Sequence, residues 1–220
     1  MKKIILPSLI IVLAVLFGCK PRTAAPAGQS KLVDRFQLVE AKDTMQFEVT
    51  NDNDTAVHHS DTIPNRLFFN LLDTALLNPI DYVADSTEST VYSKGRFPLT
   101  DNIEACWVDI HRSWFIHQSL LIYDKLRLGF TDRITVGEWY GGDGGQSLIG
   151  SWLLDVDGDG DKDLVIRQID HSMTVQDDGE PLDHTYESAR LLRWQDGKFS
   201  ESPITDTLAY VKRFPIESAW

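Results

Sequence analysis

The chain reads as a mainly β domain built from antiparallel hairpins, with a single helix near residues 64–77. Three observations predict this. Apolar and polar residues alternate with period two through residues 105–122 and again in several later stretches, as strands with two distinct faces require. The segments between them carry Gly, Asp and Asn, which favour tight turns. Only one stretch, between Pro64 and Asn78, repeats its apolar residues at three- and four-residue steps.

Taken in order, the first 18 residues stand apart. Lys2 and Lys3 precede an apolar run over residues 4–17, broken by Pro7 and Ser8, which is too short for a comfortable membrane span. The run ends in Leu16-Phe17-Gly18-Cys19, which resembles the lipobox of bacterial lipoproteins, although Phe17 stands where that pattern carries a small residue. The resemblance implies removal of residues 1–18 as a signal peptide and acylation of Cys19. The expected location is the bacterial cell envelope, with the chain lipid-anchored to the outer membrane on its periplasmic or surface face. A formal net charge of −12 excludes nucleic acid and anionic lipid head groups as partners. Membrane attachment therefore falls to the acyl chains alone. Only one cysteine, Cys106, remains besides Cys19, so no internal disulfide is expected. Flanked by Ala105 and Trp107, Cys106 reads as a buried, inert thiol.

Residues 19–31 are small, polar and proline-bearing, and read as a flexible tether. A single domain is expected over residues 32–220. Residues 36–40 and 45–50 read as short strands, and Asn51 to Asp54 as a turn. In the helix, Leu67, Phe68, Leu71, Leu72, Ala75 and Leu76 form one apolar face, Pro64 suits the first turn, and Asn78-Pro79 ends it. Farther on, Cys106, Val108 and Ile110 face opposite Ala105, Trp107 and Asp109, while Trp114, Ile116, Leu120 and Ile122 share one strand face. Residues 133–140, 146–154, 163–169 and 189–194 continue the series. Residues 106–109 faintly repeat 151–155, and 120–124 repeat 191–196, at about the period of one propeller blade.

The richest segment is Asp155-Val156-Asp157-Gly158-Asp159-Gly160-Asp161-Lys162-Asp163. Alternation puts the first three carboxylates on one side of the chain, and Gly158 and Gly160 allow the backbone to curl around them. The expected ion is Ca²⁺, which takes six to eight oxygen ligands in a forgiving geometry. Its expected ligands are the side chains of Asp155, Asp157, Asp159 and Asp163, with the main-chain carbonyl of Asp161. With only Lys162 close by in sequence, these carboxylates repel one another in the absence of a cation. An EF-hand is excluded, because its twelfth position carries Glu and here holds Ile166, and because apolar strands rather than helices flank the loop.

The pattern of apolar strand, Asp-x-Asp-x-Asp-Gly-x-x-Asp and apolar strand resembles the FG-GAP or VCBS calcium-binding repeat. Residues 151–169 carry the resemblance and the hairpin around Asp196-Gly197 extends it to residue 199. It implies a β-propeller-like repeat, but at about 40–50 residues per blade the chain is too short for a closed seven-bladed propeller.

Other candidates are weaker. The glycine-rich stretch 141–147 lacks the Gly-Lys-Ser/Thr ending of a phosphate loop, and Ile149 breaks the nucleophile-elbow pattern. Tyr140 and Asp143, near Trp139 and Trp152, suggest a small groove for a glycan or peptide beside the calcium loop. His58 and His59 with Asp61, and His111 with His117, follow no metal or catalytic spacing. Glu138 is the foremost single candidate for acid–base work, with a solvated strand face as its plainer explanation. The expectation is a non-enzymatic structural or partner-binding module, with no catalytic residue assigned. The alternative is a hydrolase or hydrolase accessory protein acting on glycans or peptides, using Glu138, Asp143 or a histidine.

Overall fold

The computed structural model describes residues 28–49, 61–142 and 144–216. Its centre is a ten-stranded antiparallel sheet that does not close into a barrel. After β1 (Met45–Glu48), the strands β2 (Asp61–Ile63), β3 (Thr90–Pro98), β4 (Ile103–Arg112), β5 (Phe115–Asp124), β6 (Gly129–Gly142), β7 (Gly145–Leu154), β8 (Asp163–Val175), β9 (Pro181–Gln195) and β10 (Lys198–Ser202) follow one another as neighbours. From β2 onward each strand pairs with the next; residues 64–89, which carry the helices, join β2 to β3, and shorter connections join the strands after it. The last turn shows why the sequence permits this. Asp196 and Gly197 both take positive φ, 52° and 78°, as a two-residue hairpin turn of matching twist demands.

One departure folds this meander on itself. β6 pairs with β7 only near their hairpin, from Glu138↔Ile149 to Gly142↔Gly145. Beyond that point β1 takes over the edge of β7, with Phe47 opposite Ser151. Phe47 is fully buried in the wedge, among Ala105, Leu120, Ile122 and Val136 from one half of the sheet and Leu153, Leu164, Ile166 and Trp194 from the other. Removing such a ring costs about 3–5 kcal/mol.

Alternation then gives each half a second buried face. Cys106, Val108, Ile110 and Leu121 pack with Leu32, Phe36, Phe68 and Leu72 from helices α1 (Gln29–Val33) and α2 (Asn65–Leu71) and their flanks. The Cys106 thiol is buried there, which pushes its pKa upward and leaves it inert. On the other half, Trp152, Val165 and Leu191 meet Phe214 and Ile216 beyond the C-terminal helix. Arg167, 1 % exposed, holds that segment by donating to the carbonyls of Val211 at 2.6 Å and Phe214 at 2.7 Å.

Several expectations need correction. The helix at 64–77 is interrupted: α2 ends at Leu71, Leu72 is extended at ψ 144°, and a short α3 (Thr74–Leu77) restarts. The cause is Asp73, whose carboxylate accepts the Ala75 N–H as an N-cap, a role incompatible with a helix interior. A single 3₁₀ turn (Asn78–Ile80) follows. Residues 36–40 form no strand, only one parallel bridge of Leu38 to Arg96. The tether gives way to folded structure earlier than Leu32, since Gln29 is buried and bonds the Leu71 carbonyl and the Phe130 N–H. The strands read at 163–169 and 189–194 are longer than expected, because β8 and β9 stay paired out to Val175↔Pro181. Trp107 and Trp152, aligned by the faint repeat, face different cores: Trp107 lies edge-on to Phe47 and Trp152 against Phe214. The signal segment, Cys19, the turn after Val49, His58, His59 and Asp143 lie outside the described residues.

Candidate functional site

The acidic loop sits where β7 ends and β8 begins, with Leu154↔Asp163 the last pair of the ladder. Asp155 closes the loop on itself, its two oxygens accepting the N–H groups of Gly158 at 2.7 Å and Gly160 at 3.0 Å. Both glycines adopt positive φ, 83° and 92°, which aims those N–H groups inward. The Gly158 N–H, with the others behind it, holds the Asp155 carboxyl below its usual range. Asp159 accepts the Asp161 N–H at 2.9 Å in the same manner.

Three of the five aspartates converge. Carboxylate oxygens of Asp155, Asp157 and Asp159 lie within 4.8 Å of one another, all exposed. Calcium–oxygen bonds of about 2.3–2.6 Å spread ligand oxygens over distances up to about 5 Å, so the spacing fits a hard cation with oxygen ligands. Asp161 is exposed and stays outside this group. Asp163 is turned inward, 2 % exposed, where its carboxylate accepts the Trp194 N–H at 3.2 Å. Burial pushes its pKa up, against the pull of that N–H and of Arg193.

Arg193, on β9, was invisible to sequence spacing. Its Nη1 lies between the Asp157 carboxylate, which it contacts directly, and that of Asp163 at 3.2 Å. Lys162, by contrast, points away and donates to the carbonyls of Lys42 at 2.7 Å and Asp43 at 2.8 Å. The cation offsetting the loop's charge is therefore the remote Arg193, with Lys162 pinning the approach to β1.

A second polar cluster lies on β5 and β6. Its geometry depends on a β-bulge at Val136: Thr135 faces Ser119, while Gly137 faces Gln118. The extra residue shifts the alternation, so Glu138 joins the face of Arg133 and Thr135 instead of following Val136 into the core. There Glu138 accepts hydrogen bonds from the Tyr82 hydroxyl and from His117 Nδ1 at 2.9 Å. His117 Nε2 lies 2.7 Å from Ser119 Oγ, which accepts from Arg133 Nη1 at 3.0 Å.

Burial of His117 drives its pKa down despite the neighbouring Glu138, so the ring is neutral. A neutral ring has one consistent proton arrangement: Nδ1 carries hydrogen toward Glu138, and Nε2 accepts from Ser119. Tyr82, raised by burial and by Glu138, keeps its proton. Ser, His and Glu thus stand in the order of a hydrolytic triad, but Ser119 and His117 are both 0 % exposed. A nucleophile must reach its substrate, and here the serine hydroxyl is enclosed and engaged by Arg133. The cluster is a closed hydrogen-bond network, and Glu138 is not the solvated strand residue expected.

The groove at Tyr140 exists, but in a different place. Trp114, Phe115, Tyr140, Gln146 and Ser147 line an open depression of about 480 Å³. It lies at the β6–β7 hairpin, so the length of β7 separates it from the acidic loop, about 30 Å at the usual strand rise. Trp152 is in the core and takes no part. His111 lies beside Asp109 at 3.1 Å rather than with His117. No protein family, curated protein or solved structure matches this chain.

Proposed function

We propose that the chain is an exported, lipid-anchored β-domain stabilised by calcium, serving as a non-enzymatic structural or partner-binding module of the bacterial cell envelope. The convergence of the Asp155, Asp157 and Asp159 carboxylates at the junction of two core strands carries this reading. Those three residues and the Asp161 carbonyl are the proposed ligands. Bound calcium would neutralise them and fix the loop. Asp163 supports the site from beneath by holding Arg193 and the Trp194 N–H. The resemblance to FG-GAP and VCBS repeats supports the choice of ion, and Lys2, Lys3, the apolar run and Cys19 support export and acylation.

Titration of the full chain with calcium chloride in a calorimeter tests the ion. Saturable binding that Asp157→Ala abolishes supports the site, and absence of binding to the unaltered chain removes it. The anchor is tested separately by mass spectrometry of the mature protein. An acylated Cys19 at the N-terminus is expected, with processing lost in Cys19→Ser; an intact leader or an unmodified Cys19 overturns the assignment.

A further inference from the structure

The paired strands β8 and β9 run past their neighbours as a two-stranded ribbon. On the β8 side, pairing with β7 ends at Gly145↔Ser172. On the β9 side, β10 covers only residues 191–195. Among the described residues, no strand pairs with the outer edge of residues 182–187, whose backbone groups form a template for another strand; the Ser188 carbonyl beyond it accepts from Arg167 Nε at 3.0 Å.

Proteins commonly guard such an edge with charge and keep apolar side chains off it. This ribbon keeps them. Ten large apolar residues are exposed in the described chain, and four of them, Met173, Val175, Leu182 and Tyr186, lie on this ribbon, with Trp114 and Tyr140 at the neighbouring groove. The register joins ribbon and groove: Tyr140 pairs with Ser147, Ser147 with Asp170, and Asp170 with Tyr186. Directly paired residues share a face, so two exposed tyrosines flank a polar strip about 14 Å wide.

Charge selects the occupant. Residues 168–189 contain six acidic side chains and no lysine or arginine. Glu187 is paired with Arg167 at 2.5 Å and Asp183 lies 3.8 Å from His171, while Asp170, Asp177, Asp178 and Glu180 have no lysine or arginine from the ribbon itself. A second copy of a chain with net charge −12 is repelled. We propose that this ribbon docks an extended, lysine- or arginine-rich protein segment, which adds as a strand to the free edge of β9. Its cations meet the acidic side chains and the exposed Tyr186 ring, and its main chain completes the ladder.

The test uses two fluorescently labelled eight-residue peptides, one alternating lysine with valine and the other glutamate with valine, titrated into the full chain. The lysine peptide binds and the glutamate peptide does not. Leu182→Ser and Tyr186→Ala, both exposed and so compatible with folding, each weaken binding at least tenfold, while Asp101→Lys in the β3–β4 turn changes it less than twofold. Alternate amides within residues 182–187 gain protection from hydrogen exchange when the lysine peptide is bound. The proposal is overturned by absence of binding, by equal loss in the Asp101→Lys control, or by binding without edge protection. It is equally overturned if Leu182→Ser instead abolishes self-association, or if a neutral tetrasaccharide binds in a Tyr186-dependent way and the lysine peptide does not.

Discussion

The acidic loop and the Glu138 network solve opposite versions of one electrostatic problem. At Glu138 the carboxylate is largely buried, and the chain supplies its partners: Tyr82, His117 and, through Ser119, Arg133. At residues 155–159 three carboxylates converge in the open; the loop's own N–H groups donate to them, but the only cationic side chain on them among the described residues is Arg193, which Asp157 shares with Asp163. A closed network serves rigidity, while an open and incompletely neutralised one leaves coordination for an outside cation. Burial therefore separates the two more clearly than the residue types do.

The largest expected effect breaks the closed side of this comparison. Glu138→Ala leaves the Tyr82 hydroxyl and His117 Nδ1 without their acceptor and destabilises the domain by about 3 kcal/mol, read from urea unfolding. A change below about 0.5 kcal/mol would mean that the network contributes little to stability. The open side depends instead on solution conditions. At calcium concentrations a hundredfold above the dissociation constant, stabilisation reaches about 2.7 kcal/mol, roughly 5–10 °C in melting temperature for a domain of this size. Chelator reverses it, and Asp157→Ala abolishes it.

The two regions also part in pH dependence. His117 has a lowered pKa in the fold, so below about pH 6.5 the unfolded chain takes up a proton that the folded chain resists. Its stabilising contribution is complete above that pH and declines as pH falls, by at most about 1.4 kcal/mol per unit. His117→Gln should flatten the stability profile between about pH 6.5 and 5.5, and an unchanged slope there assigns the dependence to other groups. Smallest is the effect of Arg193→Gln. It frees an Asp157 oxygen and raises calcium affinity by up to about fivefold, about 1 kcal/mol, while stability without calcium declines. Weaker calcium binding in this variant would show that Arg193 shapes the loop rather than competing for it.

Legibility in the sequence followed the range of the interactions involved. The cores of the strands from β4 to β9 were readable because alternation is local: Cys106, Val108 and Ile110 do face away from Ala105 and Trp107, whereas the exposed outer ribbon of β8 and β9 and the turn position of Trp114 were not. The loop was readable for the same reason, since Asp155, Asp157 and Asp159 are two residues apart and their glycines lie between them. Even locally, a competing signal misled. Asp73 capped a new helix inside an apolar period that by itself implied continuity.

What the sequence determined by itself was therefore the β class, the turn chemistry at Asp196-Gly197 and the three-aspartate cluster, all consequences of backbone preference over a few residues. Tertiary structure alone decided the rest. Arg193 reaches Asp157 across 36 positions of sequence, Phe47 wedges the meander into two facing halves, and a bulge at Val136 turns Glu138 out of the core and into reach of Tyr82. Each of these depends on strand register, which couples residues through space and leaves no mark in local composition.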